Sequence, residues 1–236
     1  MAIYKDKIQV PLGLIPDRTL FVIPGDIISD SICSSGIWEI DLSKKLLELA
    51  QNGGIMVEVG ANIGYFTVLW ASHQNCNVLA FEPSFRNIEL LYSNIIHNEL
   101  MKSVDIIPVA IGREIGLSRF DLGPIDQTGW GGIVKDNRLD TVLVPVVTLD
   151  QLLPKDMFID VLKIDVEGAD TWVLLGAQRI IQDHRVKRIY FEQNIGRMKQ
   201  LGIRNGEAQE FLKTLGYSVK SLTTEDSDVV EWEAWF

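Results

Sequence analysis

Cysteine and histidine are scarce: two of the first, Cys33 and Cys76, and three of the second, His73, His97 and His184. The thiols form no CxxC pair and no Cys/His spacing, which excludes a disulfide framework and a structural zinc site and fits free thiols in a reducing compartment. The histidines fall in polar helix ends rather than at strand termini. That points them to the surface and moves any proton-transfer task onto carboxylates. Positive charge is also short, with 22 Lys and Arg against 32 Asp and Glu, for a net charge of −10. Such a chain repels a phosphate backbone, so nucleic acid is excluded as the main partner. The acidic residues are dispersed rather than gathered in a tail, as in a solubilising surface. No apolar run approaches the ~18 residues that span a bilayer. Residues 1–7 have no apolar signal-peptide region, so the expected compartment is the cytoplasm. No Pro/Gly/Ser-rich linker, internal repeat or low-complexity segment divides the chain.

What is present is a core-forming composition, 47% hydrophobic and 23% charged over 236 residues, which fits one structural domain. Short runs rich in Val, Ile, Leu and Phe predict buried strands over 54–59, 78–81, 104–110, 161–164 and 188–191. They are continuously apolar, as parallel strands covered on both faces are. Helical patterns are predicted over 43–51, 63–72, 84–98, 169–182 and 207–215, with Ser84 as an N-cap and Gly216 as the stop. Strand–helix alternation implies a doubly wound α/β sheet. Two further strand-like runs, 217–222 and 229–236, flank a polar turn over 223–228 and predict an antiparallel C-terminal hairpin. Residues 8–24 read as a small β-element laid across the body. The expected organisation is an N-terminal β-element and substrate-side extension over 1–40 and a ligand-binding body over 41–236.

The strongest motif is Val57-Glu58-Val59-Gly60-Ala61-Asn62-Ile63-Gly64-Tyr65-Phe66-Thr67, placed between a strand and a helix. Gly60 and Gly64 allow a tight turn and close backbone approach to a ligand. A dinucleotide fingerprint, GxGxxG, needs glycine where Asn62 and Tyr65 stand, so pyrophosphate approach is not provided for. Glu58 beside the loop repels a diphosphate and suits an ammonium group. Glu82, in Phe81-Glu82-Pro83, lies 22 residues past Gly60, the spacing at which an acidic side chain grips ribose hydroxyls.

In chain order, Glu58-Val59-Gly60-Ala61-Asn62-Ile63-Gly64, Phe81-Glu82-Pro83, Ala110-Ile111-Gly112, Val147-Thr148-Leu149-Asp150 and Leu162-Lys163-Ile164-Asp165-Val166-Glu167-Gly168-Ala169 resemble the FkbM-type methyltransferases over roughly residues 50 to 195. The run Lys163–Ala169 is the most specific part. The C-terminal hairpin is likewise characteristic of class I, Rossmann-like methyltransferases. The resemblance implies S-adenosylmethionine as cofactor and transfer of its methyl group to a hydroxyl oxygen of a sugar, glycoside or natural product. It implies that Glu58, Gly60, Asn62 and Gly64, with Ala61, Tyr65 and Phe66 of the same run, hold the methionine end. Glu82 and Pro83 would hold the ribose, Ala110, Ile111 and Gly112 would flank the adenine, and Asp165 would also touch the cofactor.

Ligands of open α/β sheets bind beyond the carboxyl ends of the strands. Asp165 and Glu167 stand there, on one face if the strand's alternation continues, and Glu192 ends the next strand. Three readings of these carboxylates stay open. One of Asp165, Glu167 and Glu192 is the catalytic base that takes the acceptor's proton. Alternatively Asp165 and Glu167, with Glu192 or Asn194 on the next strand end, hold a divalent metal such as magnesium, Asp165 and Glu192 foremost. In the structural reading, Asp165 caps backbone amides and Glu167 caps the following helix. Lys163 reads equally as a pocket residue and as a surface lysine with a buried stem. The glycine-rich stretch 123–132, with Trp130, reads as a lid over the acceptor or as a packed turn. Trp38 reads as a core residue that could also stack on a ligand. The expected partner is a small-molecule hydroxyl acceptor, and a homodimer is compatible with the sequence. Rival functions are a nicotinamide-dependent oxidoreductase and a non-catalytic nucleoside-binding module.

Overall fold

A computed structural model describes residues 6–136, 140–224 and 227–236. The chain begins with an antiparallel ribbon, β1 (Ile8–Pro11) and β2 (Thr19–Val22), in register Ile8↔Val22. Helices α1 (Ile27–Ser35) and α2 (Ile40–Ala50) follow, α1 capped by the Asp26 side chain, which accepts from the Ser29 amide. Then come β3 (Gly54–Val59), α3 (Tyr65–Ala71), β4 (Cys76–Phe81), α4 (Phe85–His97) and β5 (Val104–Ile107). The middle of the chain supplies β6 (Ala110–Ile111), β7 (Gly116–Asp121), β8 (Gly132–Val134), β9 (Thr141–Val147) and α5 (Leu149–Leu152). The remainder comprises β10 (Ile159–Ile164), α6 (Asp170–Leu175), α7 (Gln178–Gln182), β11 (Val186–Asn194), α8 (Ile195–Leu201), α9 (Glu207–Thr214), β12 (Ser218–Ser221) and β13 (Val229–Trp235).

Seven strands form the central sheet in the order β12-β13-β11-β10-β3-β4-β5. The pairs from β11 to β5 are parallel, and β13 is antiparallel to both neighbours. Successive residues feed opposite faces of this sheet: Met56 and Val161 join one core with Leu46, Trp70 and Leu91, whereas Val57 and Leu162 join another with Val173 and Ile180. Burial on both faces is why these strands read as unbroken apolar runs. The antiparallel hairpin forms as expected, but β13 inserts between β11 and β12 and so lies one strand in from the edge. The turn expected over 223–228 falls partly outside the described residues, as do residues 1–5 of the N-terminal segment.

The ribbon docks on α4 through two asparagines that imitate a strand edge. Asn94 Oδ1 accepts from the Phe21 amide (2.6 Å) while its Nδ2 donates to the Phe21 carbonyl (3.2 Å). Asn98 repeats the pattern on Thr19, at 3.3 and 2.8 Å. Backbone groups of β2 that lack a sheet partner are thereby satisfied.

Three local expectations are corrected. The strand over 104–110 stops at Ile107, because Pro108 has no amide to donate. Ala110–Ile111 instead joins a second sheet, β6-β9-β7-β8, which the sequence pattern did not reveal. Cys33, whose Ser-rich surroundings read as a loop in the sequence, lies in α1. The helix over 169–182 breaks into α6 and α7 at Gly176–Ala177. A Cβ at Gly176 would stand 2.0 Å from the Gly112 carbonyl oxygen, so the break brings the second sheet against the helical layer. Gly176 has an ordinary helical φ of −75°, which leaves sterics as the only objection to a side chain. Gly176→Ala is therefore expected to destabilise the fold by about 2 kcal/mol, the range of core overpacking, measured as a lowered urea midpoint.

Candidate active site

β3, β4, β10 and β11 run parallel and end side by side, and a cleft of about 810 Å³, its open mouth included, lies beyond their carboxyl ends. Gly60, Asn62, Glu82, Asp165 and Glu167 line it from just past β3, β4 and β10, and Glu192, expected to end its strand, lines it from within β11, which continues to Asn194. Pro83, Ala110 and Ile111 form one side with Phe120 and Ile133, and Trp38 and Glu39 enter from the turn ahead of α2. Thr128, Gly129 and Gly131 cover it from the stretch 123–132. That stretch is pinned: the Thr128 amide donates to Asp26 Oδ1 (2.9 Å), and Asn87 Nδ2 donates to the Thr128 carbonyl (3.0 Å).

Gly60 has φ +87°, and a Cβ there would meet the Asp165 carbonyl oxygen at 1.8 Å. The turn after β3 thus passes directly against the end of β10. Its amides point inward. Those of Gly60 and Ala61 donate to the Phe81 carbonyl (2.9 and 3.0 Å), and that of Asn62 donates to Glu82 Oε2 (2.8 Å). A diphosphate site needs such amides free and aimed at the ligand; here they are spent on β4. Asn62 is in the left-handed region at φ +51°, and its buried Oδ1 has no hydrogen-bond partner, leaving an acceptor for a ligand's donor.

The cleft is acidic. Glu82 accepts at both oxygens, from Asn62 and from the Ser84 amide (2.8 Å), yet burial pushes its carboxyl up to about 7. Asp165 Oδ2 accepts from Lys163 Nζ at 3.3 Å. Lys163 is no surface lysine: it is 3% exposed. Burial opposes its charge, but Asp165, Glu58 and Glu39 outweigh that and raise its pKa. Glu167 does not continue the strand's alternation. It sits at φ +55° and meets Asn194 Nδ2 (3.3 Å) and Arg197 Nε (3.4 Å), while burial and Asp165 lift its carboxyl to about 7. Nor does it cap a helix, since the N-cap of α6 is Ala169 and no side chain caps it. Glu192 is driven to about 10 by burial and by the facing charges of Asp165, Asp170 and Glu167. Glu39, absent from the sequence expectations, is lifted to about 8 by burial, against the pull of Lys163.

Other residues expected at the cofactor lie behind the cleft wall. Glu58 is buried and accepts from the Thr67 hydroxyl; burial raises it to about 7. The Tyr65 hydroxyl accepts from Ser43 Oγ at 3.1 Å, and the Phe66 ring lies 4.7 Å from Lys163 Nζ. Ala61 is buried, Gly64 starts α3, and Gly112 packs on Val146 and Gly176. Trp38 both packs on the core and lines the cleft. None of the three histidines lines it; His184 stacks on Phe236 at 3.6 Å. Among the described residues no group of three or more His, Cys, Asp or Glu is arranged to hold a metal ion. Asp165 faces the Lys163 ammonium instead.

Residues 58–219 match the model of the FkbM methyltransferase domain. The chain belongs to the FkbM methyltransferase family. No curated protein matches it. Among solved structures it resembles the FkbM methyltransferase of Methylobacillus flagellatus KT, with TM-score 0.55 and 16% identity over 78% of this chain and 44% of that one. The chain thus spans less than half the length of that relative. A protein of Klebsiella pneumoniae described as a candidate O-methyltransferase gives TM-score 0.52 and 13% identity over 91% of both chains. The fold is that of class I methyltransferases, and family membership implies S-adenosylmethionine as methyl donor. Among the described residues no helix is long and apolar enough to cross a membrane.

Glu58, Glu82 and Asp170 are held at about 7, 7 and 8, each chiefly by burial, against ordinary carboxyl values near 4. Between those limits the folded protein binds more protons than the unfolded chain, so the stability these groups contribute is full at low pH and lost as pH rises through 7 to 8. The ligand-free protein is expected to melt about 5 °C lower at pH 8.5 than at pH 6, by calorimetry at fixed ionic strength. An unchanged or higher melting temperature at pH 8.5 would refute the assignment.

Proposed function

We propose that this FkbM-family enzyme transfers the methyl group of S-adenosylmethionine to a hydroxyl oxygen of a small acceptor, a sugar, glycoside or natural product. The observation that carries the reading is the sign of the cleft: Glu39, Glu82, Asp165, Glu167 and Glu192 line it, and among the described residues no basic side chain does. A cationic donor is favoured there and a diphosphate repelled. With the loop amides already spent on Phe81 and Glu82, this argues against the nicotinamide alternative.

The residues fit the donor. Glu82 keeps lone pairs free for ribose hydroxyls, Asn62 Oδ1 offers an open acceptor, and Ala110 and Ile111 with Phe120 supply an apolar wall for a base. When bound, the cofactor supplies an electrophilic methyl on a sulfonium. The protein supplies alignment, exclusion of water under the 128–131 cover, and a proton acceptor. Glu167 suits the last task, since Arg197 and Asn194 fix its carboxylate and its value of about 7 is near working pH. Glu192, held near 10, is protonated at neutral pH and serves as a donor to the acceptor molecule. We assign acceptor choice to the 1–40 extension and the 123–132 stretch; in support, Ile28, Trp38 and Glu39 of the first and Thr128 of the second line the cleft.

The test is incubation with S-adenosylmethionine and a panel of glycosides, amino sugars and polyketide-like alcohols, followed by mass spectrometry. Expected are S-adenosylhomocysteine and an O-methyl ether, with turnover lowered at least about 100-fold in Glu167→Gln, the lower range of general-base effects. Methylation confined to nitrogen, or full activity of the variant, would overturn the corresponding part of the reading.

A further inference from the structure

Glu39 lies outside the family-matched region 58–219, and nothing in its sequence surroundings marks it. It occupies the N-cap position of α2, where a carboxylate normally accepts from helix amides, yet it makes no side-chain capping bond. Its backbone is left-handed at φ 44°, ψ 71°, a conformation uncommon for a non-glycine residue. That geometry directs the side chain away from the helix start and into the cleft. A second, smaller cavity adjoins the cleft between α2, β10, β11 and β13, and the two share three residues: Glu39, Asp165 and Glu192. The three carboxylates therefore mark the junction between the space for the donor and the space beside it.

Resting on the reading that this cleft binds S-adenosylmethionine, we infer that Glu39 is a charge-reading residue at that junction, facing the donor's sulfonium and favouring it over the neutral thioether product. The nucleoside is held at Glu82 and the Ala110–Ile111 wall, so the donor's cationic half extends past Gly60 towards Asp165 and Glu39. Three of the other four carboxylates are committed elsewhere: Asp165 to Lys163, Glu167 to Arg197, and Glu82 to two backbone amides. The groups facing Glu39 are Lys163 on β10, Asp165 just past it, Glu192 on β11, Glu231 on β13, the Tyr65 hydroxyl on α3 and the Trp38 side chain, which hydrogen-bonds it. Only one of these is a cation. Methyl transfer removes one positive charge from the bound cofactor, and a carboxylate in this poorly solvated position senses that loss strongly. The product then leaves a cleft whose negative charge no longer favours it.

The test is calorimetric titration at pH 8.5 with three ligands: S-adenosylmethionine, S-adenosylhomocysteine and sinefungin, whose protonated amine replaces the sulfonium. Wild type is expected to bind the two cations at least about tenfold tighter than the thioether. In Glu39→Gln that preference should collapse towards unity, chiefly by weakening of the cations, and Glu39→Asp should restore part of it. Matching far-ultraviolet spectra and melting curves establish that the variants fold. Equal weakening of all three ligands would place Glu39 at the α-ammonium that they share and overturn the inference, as would an unchanged preference. Absence of binding of any ligand to wild type would instead defeat the cofactor reading on which it rests.

Discussion

Lys163 stands in the middle of the sheet, on the strand between β3 and β11, with Glu58 and Tyr190 directly across from it in register. The row continues through Glu233, to which the Tyr190 hydroxyl donates at 3.0 Å and which Arg188 and Lys45 also reach. A buried ammonium is costly unless carboxylates surround it, and buried carboxylates are costly without a cation. Each therefore fixes the other. Lys163 Nζ anchors Asp165 at the lip of the cleft and draws on Glu58 and Glu39, while its other side rests on the Phe66 ring. One positive charge serves more acidic groups than it can neutralise. The balance is held by protonation, which is what the raised carboxyl values express, and a cationic ligand can replace those protons.

The parts of this arrangement that obey local rules were legible in the sequence. The strand–glycine turn–helix at Val57–Thr67 carries its own signature, and strands buried on both faces appear as apolar runs, so the strand–helix alternation and the positions of Glu82 and Asp165 just past β4 and β10 followed; the order of strands across the sheet did not, and Glu192, expected to end its strand, lies inside β11, which runs on to Asn194. The parts set by tertiary contact were not. The second sheet is built from short strands with exposed residues such as Leu117 and Leu143, which give no clean alternation. The helix break at Gly176 answers to the Gly112 carbonyl, far away in sequence. Glu167 leaves the strand's alternation through two left-handed residues, itself and Gly168. Lys163 looked equally like a surface residue because its partners come from other segments. Glu39 carried no signal at all, being one carboxylate ahead of an ordinary helix.

The same wiring separates this cleft from a dinucleotide site on a similar sheet. Both have a strand, a glycine turn and a helix, and both carry an acidic residue at the next strand end, here Glu82. The difference lies in where the turn's amides go. When three successive amides converge on an anion, the turn holds a phosphate. Here the Phe81 carbonyl takes two of them and Glu82 takes the third, so the turn is stitched to the neighbouring strand. What it presents to the cleft is then mostly acceptor: the Asn62 amide oxygen, backed by the carboxylates beyond the other strands. Replacing donors by acceptors reverses the charge that the same scaffold selects. On the proposed function, a preference for a sulfonium over a diphosphate would come from the direction of three backbone hydrogen bonds and the carboxylates that Lys163 helps to keep in place.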